Sequence, residues 1–594
     1  MIWLRVVGLF WRLSPLRVSG FTIVSILLAV VPAAQIGLVA AAVQGVADAV
    51  TGDKGAGRSA LLAGGALIAV GLANHVLSTC LQYLDSLLRL ELTAQVGEMV
   101  MRKGTLLDLQ QYEDAEIYDT MQRAFQESNG GRVYQVFTQL LDVVRETVTL
   151  ATVSAVLFSW NPWIALMILL APIPSVISYM VFSHKAYEIE YERAADRRRL
   201  YYYQHLTTTD HSYKEVRLLQ LGPHLLDLYT RLVRTFFTVD RRLARHQSLL
   251  GGALGLVSVA ASSGAMLWAV SATIDGGQVG QLAGYLQAIG SIQTSAHTLL
   301  LGIAALYKDS LFLGNLFGFF ALPERQLKGG ARPFPARLSK GIEFRDVRFV
   351  YPGTDHVVLD GVSFTMPAGQ CVALVGQNGA GKTTLVKLLT RLYEPTSGQI
   401  VIDDVPIEEY DIGDLQRSMG VIFQDFIRYE MPVRDNIGFG CVDARDDTAR
   451  VAEAARAAGA AEIIESLPQT YDTMLGRHFE EGHQLSGGQW QKMALGRAFM
   501  RRAPVVVLDE PTAAIDAEAE AEIFTRLKEI ARGATSLVIA HRFSTVRMAD
   551  RIVVVENGKV IEQGEHQDLL RSGGVYARLF RLQASGYLSE AASH

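Results

Sequence analysis

Six stretches of mainly apolar residues, near 21–50, 60–88, 133–159, 163–182, 249–274 and 280–312, occupy the first half of the chain. Each reaches the length of about 20 residues that crosses the hydrocarbon core of a bilayer, where a backbone amide meets no water. A helix pairs every such amide internally, so this half is predicted to be an all-α bundle of six spanning helices. After about Arg325 the pattern changes to Val- and Ile-rich runs separated by Gly, Asp and charged turns, which reads as a soluble α/β domain. The overall 49% of hydrophobic residues is therefore a local excess, and the chain is multidomain.

The connections alternate between short and long, and their charge alternates with them. The loop around Asn161 and Pro162 and the one at 275–278 hold no Lys or Arg, and 52–59 holds only Lys54 and Arg58. The segment 184–246 includes Lys185, Arg193, Arg197, Arg198, Arg199, Lys214, Arg217, Arg241, Arg242 and Arg245. Basic loops stay on the cytoplasmic side, which orients both termini toward the cytoplasm. The opening residues mix Arg5, Arg12 and Arg17 with Trp3, Leu4, Phe10 and Trp11. The apolar stretch behind them is too long for a signal peptide and no cleavage site ends it, so they read as an interfacial amphipathic helix. Segments 89–132 and 184–246 keep helical apolar spacing, so the spanning helices are predicted to extend into a cytoplasmic stalk.

Gln35, Gln44, Asn74, His75, Gln82, Gln287, Gln293 and His297 lie within the apolar stretches. Polar groups there face a bundle interior or a cavity, so they line a substrate path or join helices by hydrogen bonds. No acidic cluster of the kind that relays protons stands out in the spans. A formal net charge of −5 without a basic face argues against a nucleic-acid partner. Cys80, Cys371 and Cys441 lack metal-ligand spacing and read as apolar packing.

The soluble half carries three phosphate-related motifs. Gly376-Gln377-Asn378-Gly379-Ala380-Gly381-Lys382-Thr383, then Thr384, follows a strand-like run from Cys371 and opens a helical one. The glycines let successive N–H groups face phosphates, Lys382 supplies a positive charge near the outer phosphates, and Thr383 offers a hydroxyl to magnesium. Val505-Val506-Val507-Leu508 ends in Asp509 and Glu510, a pair suited to orienting a magnesium shell and polarising a water, respectively. Leu485-Ser486-Gly487-Gly488-Gln489 precedes a long helix, and its hydroxyl, amides and helix N-terminus suit a triphosphate tail.

These motifs, in this order, resemble the nucleotide-binding domain of the ABC transporter family, and the six spans with long cytoplasmic loops resemble the exporter type. The resemblance implies a transmembrane domain over 1–325, a linker over 326–340, and an α/β P-loop (RecA-like) ATPase domain over 341–594 using ATP and Mg. It implies that Tyr351 stacks adenine, that Gln424 joins magnesium and water to the membrane domain, and that His541 holds the γ-phosphate. Catalysis is expected from Glu510 with Gln424 and His541, magnesium binding from Thr383, Gln424 and Asp509. The segments Tyr112-Glu113-Asp114-Ala115-Glu116-Ile117-Tyr118-Asp119 and Ser212-Tyr213-Lys214-Glu215-Val216-Arg217 resemble coupling helices. In this family the P-loop of one domain and the signature, here Leu485 to Gln489, of another close on one ATP, with Asp516 reaching across. One chain has one of each, so a second copy of the chain or a related half-transporter is the expected partner, and the intact Glu510 and signature favour a homodimer. Two departures stand out: Ala513-Ala514-Ile515-Asp516 replaces the usual Ser-Ala-Leu-Asp, and Phe479-Glu480-Glu481-Gly482 precedes the signature where Gly-Glu-x-Gly is common. Trp490 resembles the branch that includes peptide and lantibiotic exporters. The expectation is ATP-driven export or flipping of an amphipathic or hydrophobic substrate across the cytoplasmic membrane, with peptide, lipid and drug all open. A membrane-anchored regulatory ATPase and a soluble ABC ATPase are the rivals.

Overall fold

The computed structural model describes residues 2–53, 55–129, 131–170, 173–274, 278–324, 329–510, 533–540 and 546–582. It divides into two compact units: Met1–Leu106 with Ala115–Pro323, and Leu107–Asp114 with Glu324–His594.

The first unit is helical. It contains α1 (Ile2–Leu13), α2 (Pro15–Val50) and α3 (Ala56–Gly104), while α4 (Leu109–Glu113) belongs to the second unit. It continues with α5 (Ala115–Asn129), α6 (Arg132–Trp160), α7 (Pro162–Leu170), α8 (Ile173–Glu192), α9 (Ala194–Thr208), α10 (Asp210–Leu218), α11 (Gly222–Ile274) and α12 (Val279–Ala321). Among the described residues, α2, α3, α11 and the stretch Val279–Tyr307 of α12 are long and apolar enough to cross a membrane. Only 6% of the most apolar stretch of α3 is buried, and Leu61, Leu62, Ile68 and Leu72 stand exposed. That inversion of the usual burial rule is what a lipid-facing helix requires. As expected, α3 and α11 run well past a membrane-spanning length, to 49 and 53 residues. The third predicted span departs from the sequence reading: α6 carries Asp142, Arg145 and Glu146, with Arg145 paired to Asp142 at 3.1 Å and to Glu146 at 3.2 Å. Two acidic residues therefore do lie within that stretch, partnered by the arginine between them.

Helix α1 is amphipathic. Val6 and Phe10 are fully buried, Phe10 meeting the Phe137 ring edge-on at 4.6 Å, while Trp11 is exposed. Where α2, α6, α7, α11 and α12 meet, small residues admit large ones: Ala33, Ala265, Ala269 and Ala288 pack with Ile36, Leu157 and Tyr285. The Trp160 ring passes so near Gly284 that a Cβ there would lie 2.3 Å from it. Close approach through small residues is how helices associate where lipid removes the hydrophobic drive.

The second unit is built on two sheets. Strands β1 (Gly341–Val350), β2 (Val357–Pro367), β4 (Ser397–Ile402) and β5 (Val405–Pro406) form an antiparallel sheet in the order β2-β1-β4-β5. Strands β3 (Cys371–Val375), β6 (Met419–Ile422), β7 (Val505–Asp509), β8 (Thr535–Ile539), β9 (Arg551–Glu556) and β10 (Lys559–Gly564) form the second, in the order β10-β9-β3-β8-β7-β6. All its pairings are parallel except β10 on β9. Alternate residues of β3 serve opposite cores: Val372 and Leu374 join one, Ala373 and Val375 the other. A parallel sheet covered on both faces explains why these strands read as unbroken apolar runs. On one face lie α13 (Lys382–Leu389) and the antiparallel sheet; on the other, α15 (Val433–Gly438), α16 (Thr448–Ala457), α17 (Ala461–Glu465) and α18 (Gly487–Met500). Two further short helices, α14 (Ile412–Arg417) and α19 (His566–Ser572), flank the sheets.

Trp490, 1% exposed, is among the largest side chains of the α18 core. Trp490→Ala is expected to cost this unit about 3–5 kcal/mol through lost contacts and the cavity left behind. A lowered midpoint for its unfolding transition in denaturant would register the loss.

Candidate functional site

The P-loop runs from the end of β3 into α13, and its geometry explains its glycines. A Cβ on Gly376 would lie 2.1 Å from the Val555 carbonyl oxygen, and Gly381 has φ +98° with Leu359 against its would-be Cβ. A side chain at Gly376 would displace a strand, and one at Gly381 would be strained by its left-handed backbone. Lys382 is buried, and its Nζ donates to the carbonyls of Gly376 at 2.7 Å and Gln377 at 3.0 Å. Burial lowers its pKa, partly opposed by Glu510 and Asp509. A lysine held by its own loop is a charge waiting for a better partner than a carbonyl.

On the far side of β8 from β3, β7 ends at Asp509, whose Cα pairs with that of Ile539 in β8. Asp509 is completely buried and neither carboxylate oxygen has a hydrogen-bond partner among the described residues. Burial raises its pKa to about 6; the nearby Thr383 hydroxyl offsets part of this without reaching hydrogen-bond geometry, and Glu510 adds to the rise. An orphaned carboxylate beside an exposed Thr383 is a fitting place for a hard divalent cation. The next residue, Glu510, has φ +49°, a strained conformation for a residue with a side chain. Gln424 Nε2 donates to Glu510 Oε2 at 2.8 Å. The sequence points to Gln424 and Glu510 separately and carries no sign that they touch.

Tyr351 closes the other end of the loop. Its hydroxyl is 3.0 Å from Thr384 Oγ1, and its ring meets Phe349 at 4.9 Å and Tyr393 at 5.4 Å, both edge-on. The string Leu485 to Gln489 splits in two. Leu485 is buried in the core, and Ser486 caps α18 in a reciprocal box: its Oγ accepts from Gln489 N at 3.3 Å while Gln489 Oε1 accepts from Ser486 N at 2.8 Å. Ser486 is exposed, and the amides of Gly487 and Gly488 lie in the first turn, where helices lack internal acceptors for their N–H groups. Before it, Glu430 holds the departing 476–483 loop through His478, at 2.6 Å to Nδ1 and 3.2 Å to the backbone N–H.

His541 and Asp516, the remaining expected site residues, lie outside the described residues. Of the polar residues in the spans, Gln44 joins Asp48 at 2.7 Å and the Gly280 N–H at 3.1 Å, and Gln293 donates to Ser262 at 2.5 Å. These serve helix packing. His75, Gln82, Gln287 and His297 are exposed on the protomer.

Fold and site define a P-loop ATPase fused to a helical membrane unit. The ABC transporter family profile matches residues 359–513. The chain is 31% identical to the subtilin transport ATP-binding protein SpaT of Bacillus subtilis over 86% of this chain and 83% of that one. It is 29% identical to the nisin transport ATP-binding protein NisT of Lactococcus lactis subsp. lactis over 86% and 85%, and 41% identical to an ATP-dependent lipid A-core flippase of Burkholderia orbicola over 45% and 44%. Among solved structures it resembles a bacterial Atm1-family ABC exporter with ATP bound, with a TM-score of 0.73 at 25% identity over 95% of this chain and 98% of that one. The chain belongs to the ABC transporter family, as an exporter-type half-transporter that couples ATP hydrolysis to transport.

The orphaned Asp509 makes a pH-dependent prediction. A rise to about 6 from the ordinary aspartate range is worth roughly 3 kcal/mol against the folded, nucleotide-free protein at neutral pH. Below about pH 4 the carboxyl is protonated whether folded or not, the cost grows as pH rises toward about 6, and above that it is constant. Asp509→Asn is expected to raise the melting temperature of the nucleotide-free protein at pH 7.5, with a gain that shrinks on acidification toward pH 4. Thermal unfolding followed at several pH values measures both.

Proposed function

We propose that the chain works as a dimer, most simply of two identical copies, exporting an amphipathic peptide across the cytoplasmic membrane by alternating access. The likeness to the subtilin and nisin transport proteins carries the choice of cargo, because it runs through 86% of the chain and so through both halves. The flippase match, though higher in identity, spans 45% of the chain and supports lipid flipping as the second reading. With basic segments inside, both termini face the cytoplasm.

In this reading the Gly376 to Lys382 loop with Thr383 and Thr384 binds the phosphates and Tyr351 stacks the base. Exposed Ser486 and half-buried Gly487, Gly488 and Gln489 meet the nucleotide held by the partner, with Asp516 reaching across. Thr383, Asp509 and Gln424 would hold magnesium, which neutralises charge on the outer phosphates. Glu510 orients the attacking water, His541 contacts the γ-phosphate, and Gln424, already bonded to Glu510, keeps that carboxylate turned toward the site. Lys382 exchanges loop carbonyls for phosphate oxygens when the nucleotide enters. ATP drives closure because its contacts to two domains exist only when they are together.

Glu510→Gln should bind ATP and accumulate a closed dimer while hydrolysis falls by about 10²- to 10⁴-fold, the range for losing a positioned base. Phosphate release at the wild-type rate would remove Glu510 from that role. Cargo is tested by ATPase stimulation in proteoliposomes offered cationic amphipathic peptides, lipid A precursors and hydrophobic dyes. Stimulation by lipid alone would replace the peptide reading with the second one.

A further inference from the structure

The first cytoplasmic loop sends residues 107–114 into the same compact unit as the ATP site. Helix α4 is held there by its own capping box, Asp108 Oδ1 accepting from Gln111 N at 2.9 Å and Gln111 Oε1 accepting from Asp108 N at 3.1 Å. Leu109 packs against the core that contains β1 and α13. At the end of α4, one oxygen of Glu113 accepts from Lys387 Nζ at 3.0 Å and the other from the Tyr393 hydroxyl. Lys387 Nζ in turn stands 5.4 Å from the ring centroid of Tyr351 and 5.5 Å from that of Tyr393.

We infer that Glu113 is a specificity-determining residue of the ATP site: through Lys387 and Tyr393 it fixes the Tyr351 ring and so sets the preference for a purine base. The inference rests on Tyr351 being the residue that stacks the base. A cation near a ring is attracted to it by the ring quadrupole, and the attraction fixes both partners. Glu113 holds that cation in place and orients the neighbouring Tyr393, so a base lying on Tyr351 feels the carboxylate at second hand. The gain from a well-held ring grows with the stacked area, which is larger for a two-ring purine than for a one-ring pyrimidine. Because the chain continues without a break from this segment into α3 on one side and α5 on the other, the residue that registers the base is covalently continuous with the helices of the membrane unit.

The test is steady-state hydrolysis of ATP and UTP by the full-length protein in lipid nanodiscs, for wild type, Glu113→Gln, Lys387→Met, Tyr351→Ala and the Glu113→Gln/Tyr351→Ala double variant. Glu113→Gln is expected to raise KM for ATP about two- to fivefold, the worth of one exposed cation–π contact, with a much smaller change for UTP and kcat preserved. On the Tyr351→Ala background the same substitution should add nothing. Equal KM changes for both nucleotides, or additive effects in the double variant, would reduce Glu113 to a docking contact and overturn the inference. Should Glu113→Gln fail to assemble, Lys387→Met removes the cation without altering the loop and must reproduce the difference between nucleotides. Tyr351→Ala that retains the wild-type preference for ATP over UTP would overturn the stacking assignment itself, whereas loss of preference in Tyr351→Ala but not in Glu113→Gln defeats only the role of Glu113.

Discussion

The ATPase half depends on an electrostatic deficit. Asp509 is buried without a hydrogen-bond partner among the described residues, and Lys382 is turned onto the carbonyls of its own loop. Neither group is at its best in the protein alone, since a buried carboxylate pays for lost water unless something replaces it. The sheet imposes the arrangement: β3 and β7 flank β8 in register and deliver the lysine loop and the carboxylate to the same edge. In the proposed function a polyphosphate carrying a divalent cation would relieve both groups at once.

Around that deficit stand contacts that make the site responsive. Gln424 lies on Glu510, Tyr351 lies on Thr384, and Glu113 reaches Lys387 and Tyr393 beside Tyr351. The first two join groups expected at the nucleotide to each other, and the third ties the neighbours of Tyr351 to a residue outside the site. The membrane unit obeys a different rule. Its helices expose leucines and isoleucines such as Leu61, Leu62 and Ile68 while burying alanines against Ile36, Leu157 and Tyr285, because close backbone approach replaces the hydrophobic drive that lipid removes.

Much of this was legible in the chain. Apolar length implied the spanning helices, and the glycines at 376 and 381 implied a curled loop; their close approach to Val555 and Leu359 is a further constraint that only the structure shows. Other features were legible but outweighed, or had no signal. Asp142, Arg145 and Glu146 stand in the sequence at spacings that allow their pairing, with Arg132 in the same 29-residue helix, but the apolar run that follows them dominates the reading. Leu485 reads as part of a phosphate-recognition string, yet belongs to the core, because the loop entering α18 turns it inward ahead of the Ser486 cap.

The sequence by itself determined the two solvents the chain must meet, the helical answer to one of them, and the chemical inventory of the ATP site, because those follow from residue type and from periods of a few residues. Tertiary structure alone decided which of those residues touch. Gln424 and Glu510 are 86 positions apart, and Glu113 and Lys387 are separated by 274. Contacts across such separations come from strand order and helix docking, which are set by burial summed over whole elements and leave no mark in the few residues around either partner.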